Sequence, residues 1–126
     1  MDINGTLIET LGIEIKTLEE GKVVATMPVD GRTRQPMGLL HGGASVALAE
    51  TAASLGAYHL VDHETQAVVG LEINANHIRG KKDGTVTATA TILHQGRKTM
   101  VWDIKIVDES EKLICTSRCT MAVIDV

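Results

Sequence analysis

One segment, Gly43 to His59, carries helical patterning and almost no large side chains. It reads G-A-S-V-A-L-A-E-T-A-A-S-L-G-A-Y-H, so Ala, Gly and Ser dominate it. Small residues let a helix axis come unusually near its neighbour, so this pattern expects something packed close against the helix. Two stripes follow from 3.6 residues per turn. Ala44, Ala47, Leu48, Thr51, Ala52 and Leu55 form one, and Val46, Glu50, Ser54 and Ala57 the next. Glu50 and Ser54 therefore point the same way.

The remaining segments repeat with a period of two. Residues 6 to 12 suggest a helical turn, and residues 13 to 18 a short first strand. Lys22 to Val29 puts Val23, Ala25, Met27 and Val29 on one face, with Pro28 marking an end. Gln66 to Arg79 alternates at Val69, Leu71, Ile73 and Ala75. Thr85 to His94 alternates at Val86, Ala88, Ala90 and Ile92, and Thr99 to Val107 at Met100, Trp102, Ile104 and Ile106. Leu113 to Ile124 is the last strand. Asp30 to Leu40 has no period and holds Gly31, Pro36 and Gly38, so it reads as a loop that delivers side chains. Short turns between alternating strands predict an antiparallel sheet. One long helix beside it gives an α+β domain spanning residues 1 to 126.

A chain of 126 residues can bury a core, and an open sheet of this size favours self-association. With no Phe, one Trp and one Tyr, the core must be aliphatic and sulfur-containing. The formal charge of −4 argues against nucleic-acid binding through overall charge. No apolar run is long enough to span a bilayer, and the N-terminus lacks the pattern of a signal peptide. A cytoplasmic protein is expected, without a membrane partner. Cys115 and Cys119 share a strand face roughly 13 Å apart, too far for a disulfide.

The chemistry-bearing residues gather around the helix. A helix start exposes backbone N–H groups that suit a developing oxyanion, and His41-Gly42-Gly43 opens this one. Glu50 sits about two turns further along among Ala47, Leu48, Ala49, Ala52 and Ala53, where a charge needs a reason. It can attack a carbonyl held at the helix start, or activate water to do so. The expectation is an acyl-transfer site. His59 and His63 have i, i+4 spacing, but nothing suggests a third ligand, so no metal site is expected. Arg79, Lys81, Lys82, Arg97 and Lys98 lie in two turns, which could hold phosphates if the turns are neighbours.

The strings R-T-R-Q-P-M-G-L-L-H-G-G-A-S-V-A-L-A-E and V-V-G-L-E-I-N-A-N-H-I-R-G, in this order and spacing, resemble the hotdog-fold acyl-CoA thioesterases. The nearest subgroup includes 1,4-dihydroxy-2-naphthoyl-CoA thioesterase and the proofreading thioesterase of enterobactin synthesis. The likeness runs from A-T-M-P-V-D to S-R-C-T. It implies a sheet wrapped around one long central helix, with subunits paired through their sheets as dimers or tetramers. It implies that Glu50 is the catalytic carboxylate, that the Gly42 N–H holds the thioester carbonyl, and that Gln35 and His41 support the reacting group. Ser54 becomes a partner for substrate or attacking water. His77, Ile78, Arg79 and Gly80, with Gly96, Arg97 and Lys98, match positions that hold the coenzyme A portion, and Gly70 matches a substrate-lining position. The carboxylate and the carbonyl-binding loop would come from opposite subunits. Coenzyme A enters only as part of the substrate, and no other cofactor is implied. An aromatic acyl group is expected; a hotdog protein that binds acyl-CoA without cleaving it is the alternative.

Overall fold

The computed structural model describes all 126 residues. Its elements are α1 (Leu7–Leu11), β1 (Glu14–Glu19), β2 (Lys22–Pro28), α2 (Gly42–His59), β3 (Gln66–His77), β4 (Thr85–Gln95), β5 (Thr99–Val107) and β6 (Leu113–Asp125). The strands form one six-stranded sheet in the order β1-β2-β4-β5-β6-β3, and every neighbouring pair is antiparallel. β3 and β1 are its edges. α2 packs across the inner face and touches all five of β2, β3, β4, β5 and β6, as well as β1. This is the expected α+β arrangement. No helix is long and apolar enough to cross a membrane.

The expected strand faces of β2, β4 and β5 are the buried ones, except that Ile92 is only partly covered. From β6, Cys115, Ser117, Cys119, Met121 and Val123 complete the inner layer. Both cysteines are free thiols. The core therefore consists of aliphatic side chains, methionines, cysteines and Trp102.

Two expectations need correction. Of the expected α2 stripe, Ala44, Leu48, Ala52 and Leu55 are buried and Ala47 and Thr51 are only partly covered, while Ser45, Ala49, Ala53, Gly56 and Ala57 are buried as well. The covered face thus includes most of the expected stripe but extends to one side of it, because Ala and Thr give little hydropathic contrast to fix it. On β3, Val69 and Leu71 do not share a face with Ile73 and Ala75. They are 45% and 60% exposed, and it is Val68, Ile73 and Ala75 that pack against the core. The cause is a bulge. Gly70 pairs with Met121 and Glu72 with the next residue, Thr120, so Leu71 is an extra residue and the side-chain alternation flips there.

α2 comes very near the sheet at Gly56. A Cβ there would lie 2.5 Å from the ring of Trp102, which is fully buried. Replacing a helical Gly by Ala normally gains up to about 1 kcal/mol. Here a methyl against a rigid, enclosed indole costs about 1–3 kcal/mol. Gly56→Ala is therefore expected to lower stability in urea unfolding followed by the fluorescence of the single Trp. Unchanged or raised stability would show that α2 can back away from the sheet.

Candidate active site

The loop before α2 is pinned at several points. Thr33 is buried, and its hydroxyl donates to Pro28 O at 2.8 Å and accepts from Asp30 N at 3.2 Å. Thr33 O accepts from His41 N at 2.8 Å. Leu40 N donates to Lys81 O at 2.8 Å, and Arg34 Nε to Lys82 O at 2.9 Å, tying the loop to the segment after β3. Gly38, at φ 85°, makes a tight turn in which its N–H reaches Gln35 O. The Gln35 side-chain oxygen accepts from Met37 N, leaving the amide nitrogen as a donor without an acceptor in the chain.

His41 is the N-cap of α2. Its Nδ1 accepts from Gly43 N at 2.7 Å, while its carbonyl accepts from Ala44 N and Ser45 N. Of the first four helical N–H groups, three are thus satisfied; that of Gly42 has no acceptor in the chain. The His77 ring lies over Gly42, where a Cβ would be 2.8 Å from Nε2. Gly42 lines a cleft of about 280 Å³ with Gln35, His77, Ile78, Arg79 and Gly80. The structure thus brings together six residues that the sequence singled out.

Glu50 faces elsewhere. It is half-buried, and its carboxylate makes no hydrogen bond or ion pair within the chain. It opens on a cavity of about 470 Å³ walled by Val46, Ala47, Thr51 and Ser54 of α2 and by Leu7 and Ile8 of α1. It also borders a smaller space of about 150 Å³ beside Gly70 to Ile73. Ser54 Oγ is 3.8 Å from Met121 Sδ, and Cys119 Sγ is 3.7 Å from the same sulfur. Burial, with the Glu50 and Glu72 carboxylates nearby, pushes the Cys119 thiol up to about 11. The part played by α1 in walling this cavity was not legible in the sequence, because Leu7 and Ile8 carry no motif.

Against known proteins, the Thioesterase superfamily family model matches residues 37–115. ComA2 of Bacillus subtilis is 64% identical over 124 residues, covering 98% of each chain. The 1,4-dihydroxy-2-naphthoyl-CoA hydrolase of Listeria monocytogenes is 56% identical over 117 residues, 93% of this chain and 94% of that one. The chain belongs to the thioesterase superfamily. A crystal structure of a mutant thioesterase from Pseudomonas aeruginosa superposes with a TM-score of 0.96 at 46% identity, covering 98% of this chain and 89% of that one. The fold is the hotdog thioesterase fold, and the protein is a thioester hydrolase.

A thioesterase needs a carbonyl-polarising donor and a nucleophile or base on one carbonyl. Within a single chain this pair is not assembled. Eight residues of helix separate Gly42 from Glu50, about 12 Å of rise. The expectation that one carbonyl spans both on the same helix is therefore corrected. The two basic turns are not neighbours within the chain either. His77 pairs with Cys115 at one end of β6, whereas Lys98 O accepts from Val123 N at the other, roughly 26 Å along the strand. Gly96 closes its hairpin by donating to Thr99 O at 2.8 Å, and Arg97 and Lys98 are exposed. His63 stacks on Tyr58 with centroids 3.7 Å apart and bonds Tyr58 O, and no cluster of three metal-ligating side chains forms.

Two outcomes follow from these contacts. His41→Ala removes the cap acceptor and should cost about 1 kcal/mol of unfolding free energy, while His41→Asn, another good cap, restores most of it. Equal stability of both variants would mean that the cap contributes nothing. The raised, buried Cys119 thiol and the equally enclosed Cys115 should not react with Ellman's reagent at pH 8 until the protein is unfolded, when two thiols titrate. A rapid reaction in the native state would contradict this burial.

Proposed function

We propose that this thioesterase hydrolyses acyl-CoA thioesters with an aromatic acyl group, 1,4-dihydroxy-2-naphthoyl being the first candidate, at a site shared between two copies of the chain. The observation that carries the proposal is the half-buried Glu50 carboxylate, free of hydrogen-bond partners and facing a cavity walled by small and apolar side chains. The naphthoyl substrate named for the Listeria monocytogenes relative is flat and bicyclic. A space of about 470 Å³ accommodates such a group. Coenzyme A esters are cytoplasmic metabolites, in keeping with a cytoplasmic enzyme.

In this reading the Gly42 N–H donates to the thioester oxygen, with Gln35 and His41 beside it. Glu50 then forms a bond to the carbonyl carbon, or removes a proton from water as the water does so. The C–S bond breaks and the coenzyme A thiolate leaves to take up a proton. If Glu50 attacks directly, one water then cleaves the resulting anhydride, releasing the carboxylic acid and regenerating the carboxylate. Ser54, one turn beyond Glu50 on the same cavity wall, orients the substrate or the water.

The shared site rests on the open edge of β3. Val69 and Leu71 stand exposed there. Two copies of β3 paired antiparallel about a two-fold axis would set the 77–80 segment of one copy beside the 96–98 turn of the other. Arg79 would then join Arg97 or Lys98 on the coenzyme A phosphates, and the Gly42 end of one α2 would approach Glu50 of the other.

The test is release of free thiol from a panel of aromatic and aliphatic acyl-CoA esters. Glu50→Gln and Glu50→Ala should reduce kcat at least 1,000-fold while leaving the fold and the oligomer unchanged. A folded Glu50→Ala enzyme with near-normal turnover on its best substrate would falsify the assignment. A preference for medium-chain aliphatic esters would overturn the aromatic reading alone.

A further inference from the structure

We propose that Gly70 is a positioning residue for Glu50, its missing side chain forming the seat in which the carboxylate rests. The inference depends on the reading of Glu50 as the reacting carboxylate, and goes beyond it by naming what holds that group in place.

Gly70 lies inside the twelve-residue strand β3, where glycine weakens a strand and needs a reason. The backbone does not supply one. Five glycines of this chain have positive φ, namely Gly5, Gly12, Gly21, Gly38 and Gly84, and Gly70 is not among them. Although it borders the β3 bulge, its conformation is open to any L-residue. Space supplies the reason. A Cβ at position 70 would lie 2.8 Å from Glu50 Oε2 and 3.6 Å from Glu50 Cδ, and within 4 Å of no other group outside its chain neighbours. The only thing that the absent side chain accommodates is this carboxylate.

The bulge explains how the seat is aimed. Leu71 is the unpaired extra residue, so position 70 faces α2 on one side of it while Ile73 and Ala75 face the core on the other. An unbulged β3 could not turn both toward the helix. Glu50 thus meets bare backbone on its sheet side, and its other side is left to the cavity.

This arrangement separates function from folding. The atom that a Cβ would strike is the far end of a flexible side chain, so the carboxylate moves and the backbone does not. Misplacing a reacting group by about 1 Å can cost about 100-fold in rate. Gly70→Ala should therefore fold with unchanged or higher stability, lose 10- to 100-fold in kcat, and change KM less than threefold.

The experiment compares Gly70→Ala in three backgrounds on the best acyl-CoA substrate. In the wild-type background kcat falls as stated. In Glu50→Ala the added substitution has no further effect on the residual rate. In Glu50→Asp, whose shorter side chain withdraws the carboxylate from position 70, adding Gly70→Ala costs less than threefold. A wild-type kcat for Gly70→Ala beside an inactive Glu50→Ala overturns this inference and leaves the role of Glu50 standing. A rise in KM alone, or an equal fall in kcat in the Glu50→Asp background, also overturns it, by making Gly70 a wall for substrate. Full activity of Glu50→Ala removes the reading of Glu50 first, and this inference with it.

Discussion

The structure depends on how closely α2 lies against the sheet. Apart from Leu48 and Leu55, the buried residues of α2 are Ala, Ser or Gly, so its backbone reaches the inner layer of β2, β4, β5 and β6. Gly56 against Trp102 is the tightest point. A single sheet covers only one side of a helix, so the opposite side of α2 stays open. That open side carries Val46, Ala47, Glu50, Thr51 and Ser54, and α1 lies over part of it. The same packing that builds the core therefore leaves an uncovered wall in which one carboxylate is embedded.

How much of this was legible varies with the physics of each element. β2, β4 and β5 could be read because their inner faces hold Val, Met, Ile, Ala or Trp and their outer faces hold many Thr and charged residues. β3 could not, because Val68 and Val69 are equally apolar and only the pairing with β6 shows where the alternation flips. The α2 face was legible only in part for a similar reason: Ala44, Leu48, Ala52 and Leu55 are buried as expected, but Ala47 and Ala49 look alike in sequence and lie on different sides of the helix. Glu50 and Ser54 were legible as a pair from helical spacing alone. The cap at His41 was legible as a helix start, but not the pinning of its loop by Thr33, which relies on contacts with Pro28 and Asp30. The separation of the 77–80 segment from the 96–98 turn was beyond reach, since it is a property of strand register.

β3 links the two halves of the proposed site. His77, near its C-terminal end, lies over Gly42, and Gly70, in its middle, lies against Glu50. One strand thus touches both the proposed donor and the proposed acid on α2. It is also an edge strand whose outer hydrogen-bonding groups have no neighbour in the sheet. Such an edge is a liability unless it is covered, and here Val69 and Leu71 add apolar surface beside it. Covering the edge and forming the site are therefore one structural problem in the proposed pair.

The geometry of a helix makes the pairing more than a convenience. Gly42 and Glu50, the proposed donor and acid, stand eight positions apart on α2, which is about 12 Å of rise along the helix. A second helix running the opposite way reverses the order of donor and acid, so the start of one can meet the middle of the other. In the proposed pair a two-fold axis would create two equal sites at once, each copy giving a donor to one and an acid to the other. In the proposed pair, both groups can sit on one helix because symmetry, rather than the fold of a single subunit, would bring them together.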